Sequence, residues 1–254
     1  MTTVVGIFGR LRVPRSRRLF ARSSVIRSYF REHLLLLPAL AMALSSGSLA
    51  ARAEPAQLPE IISGPTNAVP ACVTPNRLME FVRNRNRALT PPRETDRRFA
   101  DLAAIYSSDS ECVERVEGKC KGVRWDYVFF QMLVETNYLT FTGGVRPGDN
   151  NFAGIGATIP KKPGERFASV REGARAHLQH VLMYAGVSIQ HPIARRTKTV
   201  QSEVHRRMAQ LGRPVTFSDL ATLWTGTDQN TYASSMERTA KRFADQFCKE
   251  RAGP

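Results

Sequence analysis

The chain lacks any apolar run long enough to cross a bilayer. Its longest, Leu34–Leu44, has 11 residues, where a spanning helix needs about 20. The segment before that run is almost without acids. Residues 1–33 carry eight arginines, from Arg10 to Arg31, against the single acid Glu32. Small residues follow, ending in Ala51-Arg52-Ala53 before Glu54-Pro55. A basic segment, a short apolar core and an A-x-A site are the marks of a secretory signal peptide. We therefore expect 1–53 to be removed after Ala53, leaving a periplasmic or secreted protein with no stable membrane anchor. No cysteine sits just after the apolar core, which argues against a bacterial lipid anchor.

Other absences narrow the function further. There is no C-x-x-C, so the four cysteines do not read as a zinc site. There are no internal repeats. Arg83, Arg85 and Arg87 are interleaved with asparagines, but no nucleic-acid motif accompanies them, and a solvated face is the usual reading of such a run. Removing 1–53, with nine arginines and one acid, leaves a charge near +7 on 201 residues. That length holds one domain with a real core. Its charge suits an anionic polymer such as bacterial cell wall better than nucleic acid.

What is present follows a simple order. All four cysteines lie after the leader, an even number, which reads as disulfides in an exported protein. Three pairings exist. We favour Cys112–Cys120, which closes a short polar loop, and Cys72–Cys248, which ties the two ends of the domain. Residues 54–75 contain five prolines and little periodicity, and read as a linker or an ordered arm. Helical patterns dominate from 76 to 250. Helices are expected over Asn76–Arg87, over Glu94–Ser107 with Phe99, Leu102, Ala103 and Tyr106 on one face, and over the apolar run Trp125–Leu139. Ser169-Val170-Arg171-Glu172 is a capping box opening a helix to about Ala185, with Gly186 as its stop. Thr216-Phe217-Ser218-Asp219 opens a short helix to about Trp224, and a last helix runs from about Tyr232 to Cys248. Between 141 and 158 five glycines break any regular helix, making a loop where backbone can approach a ligand. The class is mostly α with a small irregular or β-hairpin lobe.

Glu135 stands out in this pattern. At helical spacing it shares a face with Val128, Met132 and Leu139. Carboxylates are rarely buried without a partner or a purpose. Burial raises a carboxyl pKa, which suits a general acid near neutral pH. The alternatives are a structural ion pair with an arginine, or a helix end reaching water.

The residues around Glu135 resemble a known family. Phe130-Gln131-Met132-Leu133-Val134-Glu135-Thr136, then Phe141, Gly143 and Gly144, then Asn150-Asn151-Phe152-Ala153-Gly154-Ile155-Gly156-Ala157-Thr158, are similar to the bacterial glucosaminidase family of lysozyme-like peptidoglycan hydrolases. The likeness continues through Phe167–Val170, Gly173–His180, Tyr184-Ala185, Leu223-Trp224 and Tyr232-Ala233, covering roughly 98–245. The resemblance implies a lysozyme-like α domain over 76–250 that cleaves β-1,4 bonds of the glycan strand, as an N-acetylglucosaminidase. It implies Glu135 as the general acid and Tyr232 as a second active-site residue. Asn151, Phe152 and Gly154 match the loop that shapes the groove and are expected to hold substrate, and Gln131 and Trp224 fall within the same pattern as substrate-binding candidates, with a core position as the ordinary alternative for Trp224. No second carboxylate is evident. Asp149 sits where the family often has a glutamine, and Asp126, Glu165 and Asp228 are further candidates. His177 and His180 are three apart on one helix, but nothing completes a metal site, so packing or hydrogen bonding is the reading. No cofactor is implied. A muramidase or lytic transglycosylase on the same fold is the enzymatic alternative. A non-catalytic wall-binding factor serving an envelope-spanning assembly is the alternative of another class.

Overall fold

The computed structural model describes residues 57–142, 145–157, 163–224 and 229–249. The expected leader, together with Gly143, Gly144, Thr158 and Asp228, lies outside them. The described chain is mostly helical, with a single two-stranded antiparallel sheet among the described residues. In order come α1 (Pro75–Arg87), a 3-10 turn (Arg97–Phe99), α2 (Leu102–Asp109), β1 (Glu114–Val116), β2 (Lys119–Lys121), α3 (Trp125–Glu135), a 3-10 turn (Pro147–Asp149), α4 (Val170–Tyr184), α5 (Arg195–Ala209), α6 (Phe217–Trp224) and α7 (Gln229–Phe247).

Helix α3 is the axis of the core. Its residues from Val128 to Leu133 are all buried, and it packs against α7, α2 and α4. A helix apolar on nearly every side is stable only when neighbours cover it all round. Phe99, Tyr106, Phe129, Phe152, Phe217 and Phe243 fill the spaces between these helices. Their rings meet mostly edge to face, as in Tyr106–Phe129 and Phe99–Phe152.

Local chemistry sets the helix starts. Thr74 caps α1, accepting from the Arg77 N–H, with Pro75 in the first helical position. Ser169 accepts from the Glu172 N–H at 3.1 Å, and Glu172 reaches back to the Ala168 N–H at 2.6 Å. Thr216 and Asp219 cap α6 reciprocally: Asp219 accepts from the Thr216 N–H and Thr216 Oγ1 accepts from the Asp219 N–H.

The structure corrects several sequence expectations. The single helix expected over Glu94–Ser107 is a 3-10 turn followed by α2. Asp96 caps that turn through the Arg98 N–H and pairs with the Arg98 guanidinium, which stops a continuous helix. The 15-residue α5 was not expected at all. Of its side chains only Thr197, Val204 and Met208 are buried, too thin a stripe to show as periodicity. Helix α7 begins at Gln229, so Tyr232 lies in its first turn.

Residues 57–74, expected as linker or arm, pack on the domain. Leu58 and Ile61 are buried. The Ile61 N–H donates to Val215 O, the Phe217 N–H to Pro59 O, and the Arg124 N–H to Ile61 O, each at 2.9 Å. The segment thus straps the start of α3 to the start of α6. Cys72 is bonded to Cys248, closing the ends of the domain, and Cys112 to Cys120 across the hairpin. Among the described residues no helix is long and apolar enough to cross a membrane.

Candidate active site

Helix α3 stops at Glu135, so Leu139 does not share its helical face as the sequence suggested. The cause is a run of left-handed backbone: Asn137, Tyr138 and Leu139 have φ of +47°, +57° and +61°, and Phe141 +51°. Non-glycine residues pay for that conformation, and such strain persists only where surroundings hold it. Here Thr136 Oγ1 donates to Met132 O at 2.8 Å and accepts from the Leu139 N–H at 3.0 Å. The buried Asn86 Nδ2 donates to Tyr138 O at 2.9 Å. The turn leaves Glu135 half-buried at the helix end.

Two donors from separate helices converge on one oxygen of Glu135. Trp224 Nε1, at the end of α6, donates to Oε1 at 2.8 Å, and the Tyr232 hydroxyl, in the first turn of α7, donates to Oε1 at 2.5 Å. Burial pushes the Glu135 carboxyl above its ordinary value, and these two bonds pull part of the way back. The Tyr232 hydroxyl is raised well above the phenolic range, by burial first and then by the Glu135 charge. The other oxygen, Oε2, faces the glycine loop: a Cβ added at Gly154 would stand 3.6 Å from it. Gly154 has φ +63°, a backbone conformation that favours glycine, while a Cβ there would meet Oε2 at ordinary van der Waals distance.

Behind Tyr232 a line of polar groups runs into the core. Gln131 Nε2 donates to the Tyr232 hydroxyl at 3.1 Å. Gln131 Oε1 lies 3.2 Å from His177 Nε2, and His177 Nδ1 lies 2.8 Å from the Tyr106 hydroxyl. Gln131, His177 and Tyr106 are all completely buried. Gln131 therefore holds Tyr232 rather than meeting a ligand. His180 Nδ1 bonds to Thr197 Oγ1 at 2.8 Å. Burial lowers both histidines to about 3, so each is neutral. His180 and Tyr184 also pack on the Trp224 ring, at centroid distances of 5.4 and 5.7 Å, and fix the indole that reaches Glu135. Trp224 is half-buried.

The glycine loop is built from inside. Asn151 is completely buried. Its Oδ1 accepts from the Ile155 N–H at 2.9 Å, and its Nδ2 donates to Ile155 O at 3.0 Å and Glu165 O at 2.9 Å. Phe152 is equally buried, against Phe99. Both were expected to hold substrate; both instead hold the loop, and Gly154 is the member of the set that faces the acid. Gly173 on α4 lets the loop lie close, since a Cβ there would be 1.8 Å from Asn150 O. Beyond Gly154 the loop borders a cavity of about 320 Å³ lined by Gly156, Glu165, Arg195 and Arg196, which does not include Glu135.

The second-carboxylate candidates separate. Asp126 is buried and paired with Arg124 through two bonds of 2.9 and 2.6 Å. Glu165 accepts from the Arg195 and Arg196 N–H groups and caps α5. Asp149, half-buried in the 3-10 turn, pairs with the exposed Arg166 at 3.0 Å. Sequence reasoning missed Tyr106 and the joint role of His177 and Gln131. Their signal was present as polar residues on apolar helix faces, but their meeting depends on three helices.

Comparison with known proteins adds little to this geometry. No family model matches the chain, and no solved structure matches it. An uncharacterized protein of Borreliella burgdorferi is 36% identical over 92 residues. The match takes in 36% of this chain and 42% of that protein, so the chain spans about two fifths of this relative's length.

Proposed function

We propose that this protein is an exported glycoside hydrolase on a lysozyme-like α fold, cutting β-1,4 bonds of the peptidoglycan glycan strand as an N-acetylglucosaminidase. The observation that carries this reading is Glu135: a half-buried carboxyl with a raised proton affinity, bound on one oxygen by two neutral donors. Glycoside cleavage requires a proton for the leaving oxygen and stabilisation of the oxocarbenium charge. A carboxyl that holds its proton toward neutral pH supplies the first. Once the proton has left, the Trp224 N–H and Tyr232 O–H stabilise the carboxylate that remains. Export is supported by the leader-like start and by the two disulfides.

The second step lacks an obvious carboxylate. Asp126 and Glu165 are engaged in structural contacts, so the candidates for this step are Asp149, itself paired with Arg166, Asp228, which lies outside the described residues, the substrate's own N-acetyl group as nucleophile, or a water held by Tyr232. The same observation favours a second reading on the same site. A lytic transglycosylase needs one acid–base carboxylate, because its intermediate closes intramolecularly. Purified cell wall, incubated with the protein and with Glu135→Gln, tests the class: the wild type should clear the suspension and the variant should not. Equal clearing by both would remove Glu135 from the mechanism. Wall binding by the wild type without product release would instead favour a non-catalytic assembly factor. Mass spectrometry of the products then separates reducing GlcNAc ends from reducing MurNAc or anhydro-MurNAc ends.

A further inference from the structure

We infer that Tyr106, His177 and Gln131 are positioning residues that give the hydrogen-bond chain behind Glu135 a fixed direction, so that Tyr232 must donate to Oε1 and the transferable proton is confined to Oε2. This rests on the reading of Glu135 as general acid.

Five groups from four helices form the chain: Tyr106 on α2, His177 on α4, Gln131 and Glu135 on α3, and Tyr232 on α7. Two proton arrangements connect them. In the first, the Tyr106 O–H donates to His177 Nδ1, so the hydrogen of the neutral ring sits on Nε2. Nε2–H donates to Gln131 Oε1, Gln131 Nε2 donates to Tyr232, and Tyr232 donates to Glu135. In the reverse, the carboxyl proton sits on Oε1 and is spent on Tyr232. The amide is turned over, His177 carries its hydrogen on Nδ1, and Tyr106 only accepts.

The buried end of the chain decides between them. Tyr106 is completely buried, and among the described residues its hydroxyl bonds to His177 Nδ1 alone. In the reverse arrangement the Tyr106 proton has no acceptor, and buried donors without acceptors are strongly disfavoured. In the forward arrangement the Tyr106, His177 and Tyr232 protons each have one, and the second amide hydrogen of Gln131, which has no acceptor among the described residues in either arrangement, does not decide between them. A neutral imidazole has one N–H and one acceptor, so fixing Nδ1 as acceptor fixes every later bond.

At the outer end, Oε1 then receives two hydrogens, from Tyr232 and Trp224. A carboxyl oxygen has two in-plane lone pairs, and both are used. The proton therefore belongs on Oε2, which faces Gly154. His177 keeps its neutral form because burial and neighbouring His180 depress it. The other titratable groups around the chain are Tyr184 on α4, beside Tyr232, and Arg196 on α5, whose charge acts on His180. The direction of the chain is thus insensitive to pH across the range in which a wall hydrolase works.

The test uses the intact protein, with 15N-labelled histidine and 13C-labelled glutamate. His177 is expected to show the Nε2–H tautomer and no titration down to pH 4. An Nδ1–H tautomer, or titration near the ordinary value of 6.5, would overturn the inference. Tyr106→Phe keeps the ring against Phe129 and removes only the hydroxyl. It should release the tautomer, raise the Glu135 carboxyl titration by about half a pH unit, and lower kcat on cell wall about threefold to tenfold with KM unchanged. An unmoved Glu135 titration in a folded Tyr106→Phe protein would refute the positioning role. Retained clearing by Glu135→Gln would instead sink the general-acid reading, while the tautomer measurement would still judge the chain.

Discussion

Helix α3 carries an acid near each end, and the two are withdrawn from water by different means. Asp126, in the first turn, is 2% exposed and meets a full cation. Arg124 bonds both its oxygens, sends a third N–H to Asn67 Oδ1 at 2.8 Å, and lies over the Tyr127 ring. The helix dipole adds to this at the N-terminus. Glu135, at the other end, has no cation among its bonds to the described residues, only a phenol and an indole on one oxygen. A guanidinium commits a carboxylate to its charge, and the pair becomes structural. Neutral donors moderate the cost of burial without removing it, so the proton stays available. Two acids on one helix thus differ because their partners differ in charge: Asp126 is fixed in a structural pair, and Glu135 keeps the raised proton affinity on which the proposed function rests.

The largest expected effect comes from breaking the structural end. Arg124→Met leaves Asp126 buried and unpaired, and should cost about 3–5 kcal/mol in denaturant unfolding. Adding Asp126→Leu should return most of that loss. If the single variant unfolds like the wild type, the two ends do not differ as described. The chemical end should respond in reverse. Glu135→Gln should lower wall clearing about 10²- to 10⁴-fold with no loss of stability. The sign follows from the raised carboxyl. Stability linked to Glu135 is fully present below its ordinary value of 4.5 and is lost as pH rises through the folded value. The glutamine variant escapes that loss, so its advantage in unfolding midpoint should widen from pH 4.5 upward. His177 and His180 work the other way. Lowered from 6.5 to about 3, they contribute stability above 6.5 that is lost as pH falls toward 3. Unfolding midpoints in both proteins should therefore fall together on the acid side.

How much of this was legible in the sequence depends on distance along the chain. Caps are local, so Ser169 and Thr216 announced α4 and α6. Periodicity is nearly local, so the buried face of α2 could be read even where its start was wrong. The two cysteine pairs needed only an even count and the length of the segments they close. Glu135 was visible because one carboxyl broke one apolar pattern. The left-handed turn that ends α3 was not visible, since Asn137-Tyr138-Leu139 looks like more of the same apolar run. The resemblance marks Asn151 and Phe152 as substrate-holding, and nothing in a sequence tells whether a loop asparagine faces outward or bonds its own backbone. The chain from Tyr106 to Tyr232 was hidden for a further reason. Its bonded neighbours are 46 to 101 positions apart along the sequence, and only the packing of α2, α3, α4 and α7 brings them into line.

The glycines test the comparison at shorter range. Gly154→Ala would place a methyl 3.6 Å from Glu135 Oε2 at φ +63°. The backbone cost is about 1–2 kcal/mol, and clearing should fall about tenfold as the strained loop shifts against the acid. Gly173→Ala puts its methyl against Asn150 O instead. It should lower the melting temperature more than Gly154→Ala does, because α4 and the loop must part. Equal activity per folded molecule in Gly154→Ala and wild type would show that Oε2 is not the working oxygen.

The smallest effect, and the most direct reading of the neutral-donor end, is Tyr232→Phe. The ring is kept and one O–H is lost. That bond lowers the Glu135 carboxyl, so its removal should raise it further. The acid must be protonated to act, so the high-pH limb of the rate profile should move upward, by about half to one pH unit. The rate at the optimum should still fall about threefold to tenfold, because the carboxylate left after proton transfer keeps only the Trp224 donor. A limb that stays in place would mean that the phenol does not set the proton affinity of Glu135. A limb that moves downward would mean that the hydroxyl had been accepting from the acid rather than donating to it.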